Sequence, residues 1–394
     1  MDPNEEQSEP FSKVSWVLIA IALVIAFLVG RAAYSWTLFV NVSNNAGLSR
    51  HPSIAIDSNN TIHVVWSDNT ATYQNNFDIL YKTSTNGGLT WSSPRNLSDT
   101  KTDSSDPIIA AAGPSNIIVV WIDGGRIVAR IWNGTSWSSI APISPYENVS
   151  NITVAIVPTG EAIVTWTSRF PTKVNRSRWT GLSWSGGAPE AGERSAIAMR
   201  GDIANYTKDT VLWMSTRATG FSVWSSPVNL PVGYSPPDDM ELDSKRKLYM
   251  AWYAPDGVKV GFYDGQTGKF GPVTMLASST LRNPFKRLGL AINGNDEVTL
   301  IWTETDKEEG TYPDIRQTYR VMASQSKDGL TWTAPSRVLT PGACSSAIAG
   351  AATGTTFYGV VQSPDCGSGQ SPDVFVVFRS GVQLPRAYLP LVVR

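Results

Sequence analysis

The sequence predicts an all-β fold, a β-propeller of seven four-stranded blades, with six blades as the alternative. Two recurring markers and one end-to-end match predict it. The first marker is an apolar strand ending in tryptophan: VVWSD at Trp66, VVWID at Trp121, VTWTS at Trp166, VLWMS at Trp213, MAWYA at Trp252 and LIWTE at Trp302. The second is an outer strand opening on an aromatic: WSSPRNL at Trp91, WSSIAPI at Trp137, WSGGAPE at Trp184, WSSPVNL at Trp224, FGPVTML at Phe270 and WTAPSRVL at Trp332. One of each recurs every ~40 to 55 residues, the length a four-stranded blade needs. The match is WTLFVNVS, from Trp36 to Ser43, which aligns with WSSPRNLS, from Trp91 to Ser98, at Trp, Asn and Ser.

The first unit shows why each piece is a strand. Residues 52–57, 61–68, 78–85 and 91–98 are rich in β-branched and aromatic residues and are bounded by Asn, Gly, Ser or Pro. STNGGLTW joins the last two. Gly87 and Gly88 can take positive φ without strain, and Asn86 can bond the turn backbone, so a tight hairpin is expected there. Trp91 then starts the outer strand as an apolar anchor. Such a unit cannot bury both faces alone, so it stacks on its copies.

A seventh unit begins near Cys344, with SSAIAGAA, TTFYGVVQS and DVFVVFRS as three strands and Val361 where other blades place Trp. Its fourth strand is expected from the other end of the chain, between Trp36 and Ser43. That pairing closes the ring and removes an exposed sheet edge.

Composition supports a large, turn-rich core: 394 residues with 15 Trp, 32 Gly and 25 Pro. A net charge of −1 and no cluster of Lys and Arg exclude a phosphate-tracking surface, so nucleic acid is not expected as a partner. Residues 1–13 form a short acidic head, expected in the cytoplasm. From Val14 to Gly30 the chain is apolar apart from Ser15, long enough to span roughly 26 Å as a helix. A transmembrane signal-anchor is therefore expected, with a cleaved signal peptide as the alternative. The propeller, residues 31–382, is then extracytoplasmic, at the cell surface. The tail, residues 383–394, resembles a Tyr-Leu-Pro-Leu signature of exported bacterial proteins. Cys344 and Cys366 fall in connections that share one face of a propeller, so they are placed either as a disulfide or as two buried thiols.

STNGGLTW resembles the Asp-box, S-x-D-x-G-x-T-W, of sialidase and BNR-repeat propellers. Ser84, Asn86, Gly88 and Trp91 take the motif positions, with Asn86 for Asp. SKDGLTW is similar but one residue shorter, with Ser326, Asp328, Gly329 and Trp332. The resemblance implies structural turns remote from the propeller mouth. It also implies, for a sialidase, an Arg-Ile-Pro start, a clamp of three arginines, an Asp acid/base and a Tyr–Glu nucleophile pair. Arg50-His51-Pro52 resembles the start, with His for Ile. WSDNTAT, from Trp66 to Thr72, holds Asp68 but lacks the expected Arg. Arg50 and Asp68 are thus the only candidates for catalytic roles, and no Tyr–Glu pair is assigned.

Other chemistry finds little support. His51 and His63, the only histidines, lack metal-ligand or triad spacing, and PPDDMELD, from Pro236 to Asp243, lacks ordered oxygen ligands for Ca²⁺. No cofactor or metal is expected. The charged insertion from Thr303 to Gln317 lies between the second and third strands of the sixth unit, on the mouth face. Tyr312, Asp314 and Arg316 are its candidate ligand contacts. The expected function is non-catalytic binding of a protein or glycan at the mouth. The alternative is an exo-α-sialidase-like glycoside hydrolase with a divergent site.

Overall fold

The computed structural model describes residues 38–70, 76–145, 148–169, 172–186, 189–200, 203–216, 218, 223–278, 285–309, 316–338, 346–354, 356–363 and 373–380. Their strands form seven antiparallel sheets, five of four strands and two of five. Each sheet is one blade. Blade 1 runs outward through Ser49–Ile56, Ile62–Asp68, Asp78–Ser84 and Arg95–Asn96. The inner strands of the next five blades are Ser104–Gly113, Val149–Ile156, Ser195–Arg200, Asp239–Leu242 and Phe285–Ile292. Blade 7 comprises Ser346–Thr353, Thr356–Ser363 and Asp373–Ser380, with Leu38–Asn41 outermost. Seven blades closed by an N-terminal strand is thus the observed architecture.

The closure repeats the chemistry of blade 1. There the Asp78 carboxylate accepts from Asn96 Nδ2 (2.9 Å) and Ser98 Oγ (2.7 Å), while the Ser98 hydroxyl accepts from Ile79 N (2.9 Å). In blade 7 Asp373 accepts from Asn41 Nδ2 (2.9 Å) and Ser43 Oγ (2.8 Å), and Ser43 Oγ accepts from Val374 N (3.0 Å). Asn and Ser two residues apart on an outer strand therefore fasten the strand inside it, and the N-terminal segment carries the same pair.

The core lies between blades. Trp66 packs on Val360, Val374 and Val376 of blade 7, and Trp121 on Val65, Ile79 and Leu97 of blade 1. Trp166 packs on blade 2, Trp252 on blade 4 and Trp302 on blade 5. Each indole thus covers the preceding sheet, which explains a recurrent Trp in the second strand. In blade 7 the buried Val361 takes this role against Ile301 and Val321.

Two sequence expectations are corrected. VLWMS is the third strand of blade 4, Val211–Thr216, not the second; the second strand is Ile203–Lys208. Tyr206 occupies the inter-blade position, packed on Ile163 and Val174 of blade 3, and Trp213 lies against its ring at 5.5 Å. The outer strands are also shorter than expected. In blade 1 only Arg95–Asn96 pair as a ladder, after Pro94, which has no N–H to donate. Pro227 and Pro335 precede the equally short Val228–Asn229 and Ser336–Arg337. Trp224 and Trp332 are held instead by single bridges, to Ser215 and Ser326.

The two resembling hairpins share one geometry. Ser84 Oγ accepts from Gly88 N (2.9 Å), Asn86 Oδ1 accepts from Thr90 N (3.0 Å), and Trp91 Nε1 donates to Gly88 O (3.1 Å). Ser326, Asp328, Gly329 and Trp332 make the matching set, with Asp328 Oδ1 accepting from Leu330 N and Thr331 N at 2.8 Å. Gly88 and Gly329 have φ of 86° and 78°, which the turn requires. Among the described residues no helix is long and apolar enough to cross a membrane; residues 14–30, Cys344, Cys366 and the tail lie outside the described residues.

A chain beginning at residue 45 is expected to melt well below one beginning at residue 36. In the longer chain Asp373→Ala is expected to cost roughly 2–4 kcal/mol, since hydrogen bonds to a charged group contribute about 1.5–3 kcal/mol each. Equal thermal melting of the two chain lengths would show that the N-terminal strand is dispensable.

Candidate functional site

Inner strands run away from one face of the ring, and five of the seven carry a one-residue bulge near that face. The register slips between Arg50 and Ser53, Ser105 and Ile108, Ser150 and Thr153, Phe285 and Leu288, and Ser346 and Ala349. A bulge re-aims side chains at the end of a strand. In blades 1 to 3 the first bulged residue takes left-handed backbone: His51 (φ 51°), Asp106 (φ 52°) and Asn151 (φ 51°). His, Asp and Asn are the non-glycine types that tolerate this conformation best.

These three residues line a central cavity of ≈ 1030 Å³. Deeper down, its wall includes Ile54, Ile109, Val154 and Leu290; at its mouth it includes Arg169, Arg194, Asp238 and Tyr253. His51 Nδ1 stands 3.1 Å from Asp106 Oδ1 across the boundary of blades 1 and 2. Arg194 Nη1 donates to Asp238 Oδ1 at 2.8 Å across the boundary of blades 4 and 5, and Asp238 Oδ2 accepts from Tyr253 N at 2.8 Å. The mouth therefore presents a His–Asp contact and an Arg–Asp ion pair at the rim of a channel of mixed lining, a form suited to seating a polar ligand.

Two carboxyls sit further in. Asp239 accepts from Leu290 N (2.7 Å) and Met240 N (2.9 Å), joining the inner strands of blades 5 and 6. Both Asp239 and Glu241 keep partial surface, but they line the channel and that surface faces its interior. Burial pushes the Asp239 carboxyl up to about 7, against those two backbone donors. Burial pushes Glu241 up to about 8, with the Asp239 charge adding to it. Of the acidic segment, Asp238 to Glu241 line the channel, while Asp243 accepts from Lys245 N (2.8 Å) and Lys247 N (2.7 Å) in the turn at the far end of the strand; among the described residues no group of three His, Cys, Asp or Glu could hold a metal ion.

The sequence candidates are placed apart from this mouth. Arg50 lays its guanidinium over the Phe77 ring at 3.5 Å, and it is not among the residues lining the cavity. Asp68 is buried and accepts from Trp66 Nε1 (2.8 Å), Ser49 Oγ (2.7 Å) and Asn45 Nδ2 (2.7 Å) on one oxygen and from Thr70 N (2.8 Å) on the other. Although burial alone would raise its pKa, these donors hold the carboxyl below the ordinary aspartate range. His63 is buried between Tyr81 Oη (2.8 Å) and Asp57 Oδ2 (3.4 Å), and burial holds its pKa down, as core packing requires. The charged insertion is largely β-hairpin: the strands reach Glu309 and resume at Arg316, with Glu309 opposite Arg316. Tyr312, Asp314 and the Arg316 side chain lie outside the described residues.

Sequence reading missed Asp106, Asn151, Arg194, Asp238 and Tyr253. One signal was present for the first two. His51, Asp106 and Asn151 each stand fifteen residues before a blade tryptophan, Trp66, Trp121 and Trp166. The pairing of Arg194 with Asp238 leaves no such local trace.

No protein-family model matches the chain, and no curated protein matches it. Solved structures do match in fold. An ulvan lyase of a new polysaccharide-lyase family, solved with a glucuronic acid–rhamnose sulfate saccharide, is 10% identical, covering 86% of this chain and 95% of its own, with a TM-score of 0.52. A protein of unknown function from Dyadobacter fermentans is 11% identical over 87% of this chain and 99% of its own, with a TM-score of 0.51. The phage phi92 endosialidase is 9% identical over 91% of this chain and 71% of its own, with a TM-score of 0.49. At such identities the likeness to the first two bears on the fold alone.

Asp239 and Glu241 hold protons in the folded chain up to about 7 and about 8, whereas the unfolded chain releases them near 3.8 and 4.5. The folded state thus binds more protons between those limits, so their contribution makes stability fall as pH rises from about 4 to 8. In urea titrations, Glu241→Gln is expected to remove part of that fall relative to the parent chain. Parallel stability–pH curves for the two proteins would refute the assignment.

Proposed function

We propose that this chain is a ligand-binding propeller, held at the cell surface by residues 14–30, which seats a protein or glycan at its channel mouth without chemistry. The observation that carries this reading is the mouth itself: the His51–Asp106 and Arg194–Asp238 pairs stand at the rim of a central channel whose wall includes Ile54, Ile109, Asp239 and Glu241. The Arg194 guanidinium already has the Asp238 carboxylate as its partner, so a neutral polar ligand can be held beside the pair without desolvating that arginine alone. Sialoside hydrolysis needs more. A carboxylate clamp, an acid and a nucleophile must converge on one pocket while an oxocarbenium-like centre develops. Among the described residues the arginines lining the cavity are Arg169 and Arg194, and Arg194 is taken up by Asp238. Arg50 and Asp68, the candidates from motif, are engaged by Phe77 and by Trp66, Ser49 and Thr70.

The purified full chain is expected to release no fluorophore from a 4-methylumbelliferyl α-sialoside above the buffer rate. On a glycan array it is expected to retain a defined set of saccharides, with retention lost at least tenfold in Arg194→Ala. Turnover abolished by Arg50→Ala or Asp68→Ala would establish the divergent glycosidase instead.

A further inference from the structure

Strand direction fixes which features share a face of the ring. First and third strands run away from the mouth, so the turns joining third to fourth strands lie on the opposite face. Those connections expose large apolar side chains. Leu89 in blade 1 is 50% exposed, Leu182 in blade 3 is 92%, Val223 in blade 4 is 61% and Leu330 in blade 6 is 52%. Six large apolar side chains are exposed among the described residues, and these turns carry four of them.

Folding of the turns does not require them. Trp91 and Trp332 bond back to Gly88 O and Gly329 O, which directs each indole over its own hairpin, while the leucine two residues earlier points outward. A hydroxyl or charged residue would serve the turn equally, since the bonds there come from Ser84, Asn86, Ser326 and Asp328. Leu89, Leu182 and Leu330 each stand two residues before the outer-strand Trp, with Val223 directly before its own, and exposed apolar side chains recurring on one face of several repeats mark a contact surface.

The chain ends identify the contact. Leu38 pairs with Phe378, and the strand Asp373–Ser380 runs away from the mouth, so the N-terminal strand begins, and blade 7 finishes, on the leucine face. Residues 31–37 alone separate Leu38 from the apolar run at 14–30. Seven residues reach at most about 25 Å when extended. A body tethered this closely meets the bilayer surface at high effective concentration, so modest apolar contacts suffice to hold it there.

We infer that the turn face rests on the phospholipid bilayer, with Leu89, Leu182, Val223 and Leu330 inserted at the headgroup boundary and the mouth directed away from the membrane. This rests on the reading of residues 14–30 as an anchor. The mouth is thereby presented outward to ligands, and the ring does not swing freely on its tether.

The test uses the full chain in phosphatidylcholine vesicles, with an environment-sensitive dye on Leu182→Cys, on Leu330→Cys or, as the mouth-face control, on Val232→Cys, each against the labelled parent chain. All three sites are exposed, so the substitutions leave the core intact. Expected are flotation with vesicles, a blue-shifted emission at positions 182 and 330, and iodide quenching there several-fold weaker than at 232. Loss of flotation would overturn the anchor and this inference together. Flotation with equal quenching at all three positions would overturn the docking alone. Shielding that rises with protein density and yields cross-links between copies would assign the face to a second copy of the chain and overturn the bilayer contact.

Discussion

Closure of the ring by one short strand is the constraint on which the rest depends. A propeller blade has little use for its neighbours' hydrogen bonds; what it needs from them is a covered face. Trp66 of blade 1 is covered by Val360, Val374 and Val376, so the first blade of the sequence is completed by the last. That contact persists only while blade 7 holds its own outer edge. Asn41 and Ser43 on the Asp373 carboxylate, with Val42 buried beneath, supply that edge from more than three hundred residues away in the chain. Two side chains thus convert an open array of sheets into a closed body with a defined axis.

A defined axis in turn gives meaning to the bulges. On an isolated blade an extra residue before Ser53 would merely disturb an edge. In the ring it delivers His51 to within 3.1 Å of Asp106, a residue that entered the mouth by the same device in the next blade. Repetition of one local irregularity therefore builds a site that no single blade contains. The left-handed backbone at these points restricts the residue type, and His, Asp and Asn meet that restriction while supplying polar groups.

Much of the fold was legible because its signals are local. A second-strand Trp, a Gly-bearing hairpin and an Asn-x-Ser on the outer strand each follow from contacts within one blade or between adjacent ones. Blade 4 misled for the same reason. VLWMS has the pattern of a second strand, yet Tyr206 already fills the inter-blade position and Trp213 lies tilted beside it, and only packing distinguishes the two. The outer strands looked longer than they are because side-chain pattern says nothing about a missing donor at Pro94, Pro227 or Pro335 until the pairing partner is known. The site was less legible still. Arg50 and Asp68 stood out by resemblance, but the fold directs one onto Phe77 and surrounds the other with donors, whereas Arg194 and Asp238 meet only through the packing of blades 4 and 5.

The two faces of the ring differ in what sets their side chains. On the mouth face the backbone conformation of the bulges selects polar residues, and two of them, His51 and Asp106, meet across a blade boundary. On the opposite face the turns obtain their bonds from Ser, Asn and Asp, leaving the side chain two residues before the Trp unconstrained by folding. Leucine at an unconstrained, exposed position in blades 1, 3 and 6 lacks a folding reason, whereas polar residues at the mouth have one as well as a site to serve. The asymmetry matters because the closing strand carries the N-terminal segment to the leucine face. The interaction that completes the ring also fixes which face the preceding apolar run approaches, so closure and orientation are consequences of the same strand.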